Sequence, residues 1–310
     1  MSTGFWDGFP SKMAGLRQLV ASGLSVPQTV EVAGPDSLKA LSETLAAADD
    51  AAIAEWVVRV DAPPHKRFSI SGGMAPAAGV PDLLRVHWAR WQDSGYGLLV
   101  QRKLVRACDG IALRTATGHI VIEVQDDRPG NFFRDGSTPR RWILRDGACL
   151  GVEVLSQHAL GQLLAALAAL PVASCIEWVL TPDDRLHFVD LKPLPQDYLA
   201  DADPFAGAVC QPLRCGEVTG TAYASAPAGQ GQPCIHIGRS THVDLLPELG
   251  PCSRAVVFTG GGLLSHAAVY AALCTIPVLI CTPGHLPQLS PGAVGTLVIG
   301  SAGHHFEEAP

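Results

Sequence analysis

At 310 residues, with 47% hydrophobic and 16% charged residues, the chain is long enough for two globular domains and too apolar for a disordered segment. Its net charge of −7 argues against nucleic acid as a main partner, although a local cationic site could still hold an anionic nucleotide. No apolar run reaches the roughly 18 residues of a membrane span, and the opening Met-Ser-Thr-Gly-Phe-Trp-Asp lacks the regions of a signal peptide, so a cytoplasmic enzyme without a membrane partner is expected.

In chain order, the apolar spacing predicts helices near 12–22, 36–48, 81–93 and 155–169. The last is rich in Leu and Ala and reads as core packing. Strands are expected near 28–32, 55–61, 97–105, 110–115, 119–125, 141–145, 174–181 and 185–191. A Pro- and Asp-rich connector follows, from Pro193 to Pro204. It divides the chain into an N-terminal domain (1–194), a linker (195–206) and a C-terminal domain (207–310). No internal repeat is visible.

Nine cysteines, none in a Cys-x-x-Cys pair, read as free thiols in a reducing compartment rather than a structural zinc site. His304 and His305 read as a polar tail.

The densest signal lies near the C-terminal end. Ala255 to Phe258 is an apolar strand, Gly260, Gly261 and Gly262 form a loop that lets backbone approach a ligand, and Ser265-His266 opens an Ala-rich helix. Ile276 to Ile280 begins the next strand. A histidine at such a helix N-terminus sits where backbone N–H groups and the helix dipole favour an anion.

This segment resembles the phosphohistidine swivelling domain of the phosphoenolpyruvate-utilising enzymes, a family that includes pyruvate phosphate dikinase, phosphoenolpyruvate synthase and rifampin phosphotransferase. The resemblance rests on Gly260, Gly261, Ser265, His266, Ala267, Ala268, Val269, Ala271, Ile276, Pro277 and Val278. Leu264, Ala272-Leu273 and Thr275 stand where the family has Thr, Arg-Glu and Gly.

The first 200 residues look like a shortened version of the same family's ATP-grasp domain. Pro10 to Pro27 resembles its opening, placing Lys12 on a nucleotide-phosphate lysine. Trp56 to Ala62 places Arg59 on a phosphate-binding arginine. Phe68 to Gly73, with Gly72 and Gly73, resembles the flexible phosphate loop. Leu99 to Val105, with Gln101, resembles the strand leading to the adenine hinge. Ile176 to Leu180 and Leu186 to Pro193 resemble the closing strands, with Cys175, Asp190 and Lys192 standing for the family's Asp, Gln and Arg.

The resemblance implies an α/β protein: an α+β ATP-grasp-like domain followed by a smaller β/α swivelling domain, without the family's TIM barrel. It implies ATP and magnesium as cofactors. Lys12 and Arg59 supply cations for phosphates, and Glu177 and Asp190, on adjacent strands, supply hard oxygen ligands to the metal. Arg59, Lys192 and His266 are the expected catalytic residues, and the leading activity is phosphoryl transfer from ATP through His266 to a small molecule or a separate acceptor protein.

A second reading is an ATP-grasp ligase that activates a substrate by phosphorylation, with His266 orienting that substrate. A third is a catalytically impaired nucleotide- or partner-binding protein.

Overall fold

The computed structural model describes residues 11–32, 35–46, 55–62, 73–91, 96–125, 133–146, 148–199, 210–223, 231–238, 241–281, 289–300 and 303–309. They form a mixed α/β, sheet-rich protein of three sheets and five α-helices. Two compact units result. One draws on Cys108–Glu177 and Lys192–Pro310, the other on Phe9–Ala107 and Trp178–Leu191. The expected linker falls within the first, and its residues 200–206 lie outside the described residues.

In the second unit, α1 (Lys12–Ala21) starts where the Ser11 hydroxyl accepts a hydrogen bond from the Ala14 amide at 3.0 Å. It buries Lys12, Gly15, Leu16 and Leu19, one face of a 3.6-residue period. A four-stranded antiparallel sheet runs in the order β1-β4-β2-β3, with β1 at Thr29–Val32, β2 at Glu55–Asp61, β3 at Gly73–Pro76 and β4 at Gly97–Arg102. In β2, Trp56, Val58 and Val60 alternate inward while Val57, Arg59 and Asp61 take the half-buried face. That alternation accounts for Arg59 in an apolar run. Helix α2 (Pro35–Ala46) contributes Leu41 and Leu45, and α3 (Val80–Trp91) contributes Leu84, to the core built on Trp56, Leu98 and Val100.

A six-stranded sheet has the order β10-β9-β5-β6-β7-β8, with β5 at Cys108–Arg114, β6 at Ile120–Val124, β7 at Arg140–Arg145, β8 at Ala148–Gly151, β9 at Ser174–Leu180 and β10 at Leu186–Pro193. Helix α4 (Gln157–Ala169) is capped by the Ser156 hydroxyl and buries Ala159, Leu163, Ala166 and Leu167, the core role expected of this segment.

In the first unit, a seven-stranded mixed sheet runs β11-β15-β14-β13-β12-β16-β17. These are Cys210–Arg214, Val278–Cys281, Ser253–Phe258, Cys234–Gly238, Gly216–Tyr223, Val294–Gly300 and Gly303–Glu308 in that spatial order. Strands β12, β13, β14 and β15 are mutually parallel, and α5 (His266–Leu273) is the crossover between β14 and β15.

Two expectations are corrected here. His304 and His305 are not a tail: they lie in β17, opposite Ile299 and Val298. Cys281 is disulfide-bonded rather than free. No helix among the described residues is long and apolar enough to cross a membrane.

His236 in β13 is wholly buried, with Nε2 2.8 Å from the Ser253 hydroxyl and 3.2 Å from the Cys234 sulfur. Burial pushes its pKa down from 6.5 to about 4. Because the folded state disfavours the charged imidazole, its contribution is intact above pH 6.5 and is lost as the pH falls toward 4. At about 1.4 kcal/mol per pH unit this comes to about 3 kcal/mol. Urea midpoints measured across that range should fall steeply for the native protein and less steeply for His236→Leu; parallel curves would refute the assignment.

Candidate functional site

His266 is the first residue of α5, and it follows the C-terminal end of parallel strand β14. Loops at such strand ends are where open α/β sheets bind ligands. The Ser265 hydroxyl caps the helix by accepting from the Ala268 amide at 3.3 Å. Gly260 and Gly261 both have positive φ, at 130° and 107°. A Cβ on Gly261 would stand 2.0 Å from Thr241 Oγ1, so neither its conformation nor its surroundings admit a side chain. Gly262 completes the turn, its carbonyl accepting from the Ser265 amide at 3.4 Å.

The imidazole meets a carboxylate. His266 Nε2 is 2.9 Å from Glu177 Oε1, and Lys192 Nζ donates to that same oxygen. All three side chains are nearly buried, at 12%, 11% and 3% exposure for His266, Glu177 and Lys192. The Tyr270 ring lies 5.6 Å below the Lys192 ammonium, within reach of a cation–π contact. The Phe133 ring is 5.6 Å from the imidazole, and the Phe133 carbonyl accepts from the His266 amide at 3.1 Å. One carboxylate thus gathers a lysine and a histidine in an apolar surround, where each charge interacts more strongly than in water.

In the second unit, Lys12 Nζ donates to Asp190 Oδ2 at 2.7 Å, and Asp190 Oδ1 accepts from the Leu191 amide at 3.0 Å. The Asp61 carboxylate accepts from the Lys12 and Met13 amides at 2.7 and 3.2 Å, a favourable anion at the helix N-terminus. Gly15 lets α1 approach β10, since a Cβ there would be 2.6 Å from the Leu191 carbonyl oxygen. Gln101 is buried and donates to the Thr29 hydroxyl at 3.1 Å. Gly73 opens β3, while Gly72 and the rest of the expected phosphate loop lie outside the described residues.

The structure therefore brings His266, Glu177 and Lys192 together in one cluster, and Lys12 and Asp190 in another. Both carboxylates expected as metal ligands are ion-paired to lysines. Among the described residues, no group of three or more His, Cys, Asp or Glu side chains is disposed to hold a metal ion.

Glu123 was not anticipated. Wholly buried in β6, it accepts from the Leu263 and Leu264 amides at 2.9 and 2.8 Å and pairs with Arg141 at 2.7 Å. Its sequence signal is a lone charge in the apolar run Ile120 to Val124.

No family model matches the chain, and no curated protein matches it. Solved structures that resemble it include the D-cycloserine synthetase DcsG, at 19% identity and TM-score 0.40, over 61% of this chain and 64% of that one. The ADP complex of the N5-carboxyaminoimidazole ribonucleotide synthetase purK matches at 12% identity and TM-score 0.39, over 63% and 48%. The macrocyclase MdnC of Microcystis aeruginosa, bound with its precursor peptide MdnA, matches at 14% and 0.39, over 66% and 59%. This chain thus spans between 48% and 64% of the lengths of these three proteins. Likenesses of this size carry no argument about what this chain does.

These neighbours are ATP-grasp enzymes rather than phosphoenolpyruvate-utilising ones, and the family resemblance drawn from the sequence is corrected accordingly. The physical reason lies in the departures. Ala272, at the family's arginine position, is wholly buried and supplies no cation. Leu264, at its threonine position, is equally buried, with its amide committed to Glu123.

Thr275, at its glycine position, retains a left-handed φ of 61°. A β-branched residue is strained there. Thr275→Gly should raise stability by about 1 kcal/mol, read as a higher melting temperature; an unchanged or lower value would show that the turn tolerates threonine. What remains is a mixed α/β, sheet-rich fold.

Proposed function

We propose that the chain is an ATP-dependent ligase that activates a carboxylate by phosphorylation and joins it to a nucleophile. The observation that carries this reading is the shared oxygen of Glu177, which holds Lys192 and His266 side by side in a nearly dry site. A lysine and an imidazole fixed together suit an anionic substrate whose charge grows during transfer. His266 orients that substrate and is not itself the phosphoryl carrier.

The cationic side chains suit a nucleotide's phosphates. Lys12 and Arg59, with Gly73 and Gln101 nearby on the sheet, serve the nucleotide in the second unit. Asp190, in the same unit, offers a hard oxygen of the kind a magnesium ion takes, with phosphate oxygens and water completing the shell.

In the reaction, a substrate carboxylate oxygen bonds to the γ-phosphorus as the bond to the β-phosphate oxygen breaks, giving an acyl phosphate and ADP. An amine then bonds to the acyl carbon, phosphate leaves with the C–O electron pair, and the amine proton passes to solvent or a base. Incubation with magnesium ATP, a panel of carboxylates and an amine should release ADP and phosphate in equal amounts with the joined product. Release of AMP would overturn this reading. In His266→Asn, kcat should fall by about a hundredfold with the dissociation constant for ATP nearly unchanged.

A further inference from the structure

We infer that Glu123 is a positioning residue for His266, acting through the backbone of the loop before α5. The inference rests on the ligase reading only for its effect on turnover; its structural content stands apart from it.

A carboxylate offers about four acceptor positions, and Glu123 uses both oxygens. Oε1 takes the Leu263 amide at 2.9 Å and Oε2 the Leu264 amide at 2.8 Å. Arg141 Nε adds a third hydrogen bond to Oε1 at 2.7 Å and compensates the charge. A buried carboxylate accepting two backbone amides is a strong, directional clamp. The two amides it grips belong to the residues immediately before Ser265 and His266. Tyr198 reinforces the hold from another segment, donating its hydroxyl to the Leu263 carbonyl.

The loop between β14 and α5 carries two positive-φ glycines and could adopt other paths without these anchors. Holding Leu263 and Leu264 fixes where α5 begins, and so fixes the imidazole against Glu177. Neutral packing could fill the same space, but it would not give each of these two successive amides its own acceptor oxygen.

The test uses full-length Glu123→Gln and Glu123→Asp with the histidines labelled with nitrogen-15, His266 being assigned from His266→Asn. In Gln one of the two oxygens becomes an NH2 donor, which leaves one of the two backbone amides facing a donor. Asp keeps the charge beside Arg141 but falls short by one methylene. In both variants, hydrogen exchange at the Leu263 and Leu264 amides should rise at least about tenfold, against little change at Val256 and Val257 in β14. The His266 ring nitrogens should shift toward those of a solvent-exposed histidine, and kcat should fall with little change in KM.

Unchanged His266 signals in a folded variant would overturn the inference. Full rescue by Glu123→Asp would do so too, since charge alone would then suffice. Loss of folding in both would assign Glu123 to core stability and reject the positioning role. Should no ligase turnover be found, the exchange and nitrogen signals still decide the question.

Discussion

Replacing Glu177 with alanine is expected to cost about 3–5 kcal/mol of stability and to lower turnover by at least about a hundredfold. The side chain of Lys192 is only 3% exposed, and its carboxylate partner would be gone. His266 would lose the acceptor of its Nε2 in the same change. The stability loss comes from removing the charge partner of a buried ammonium rather than from forfeiting a favourable pair, which gives a sharp control. Glu177→Leu combined with Lys192→Met should recover most of the stability, because an apolar pair of similar volume needs no compensation. Activity should stay absent in the double variant. Urea unfolding and ADP release measured on the same preparations separate the two effects. If the double variant is as unstable as the single one, the ion pair is not the cause.

Lys12→Met is expected to behave in parallel in the second unit. The Asp190 side chain is 2% exposed, and after the substitution its Oδ2 would lose the Lys12 ammonium. A loss of about 3–5 kcal/mol is expected from removing the cation of this buried pair. Adding Asp190→Asn should restore a good part of it. Nucleotide affinity supplies the second readout. Under the ligase reading, ATP should bind at least about tenfold more weakly to Lys12→Met even in the stabilised double variant, as measured by calorimetric titration. Equal affinity would confine Lys12 to a structural role.

What could be read from the sequence was local. The alternation from Glu55 to Asp61, the Ser11 cap before Lys12 and the Leu-Ala spacing of 157–169 each specify an element through contacts within a few residues. The strand–glycine loop–helix frame around His266 is equally local, and the structure has it.

Family membership was not legible in the same way. A short βαβ frame is a solution many α/β chains share, and Ala272 and Leu264 show that its surroundings here are apolar. The partners of the site were also out of reach. Nothing adjacent to Glu123 announces Leu263 and Leu264, and the pairing of Lys192 with Glu177 depends on the register of two strands. His304 and His305 misled because polar residues on an edge strand read like a tail until their partners in β16 are known.

The contacts that build these two clusters and anchor the loop before α5 connect distant parts of the chain. Lys12 meets Asp190 across 178 residues, Glu123 meets Leu264 across 141, and Glu177 meets His266 across 89. Closing such loops is entropically slow, and none of the rewarding contacts exists beforehand. During synthesis the early strands must therefore wait with Lys12 and Glu123 still lacking these partners, since neither cluster can be completed until long after its first residue emerges. Acquisition of function should thus lag behind the appearance of secondary structure during refolding.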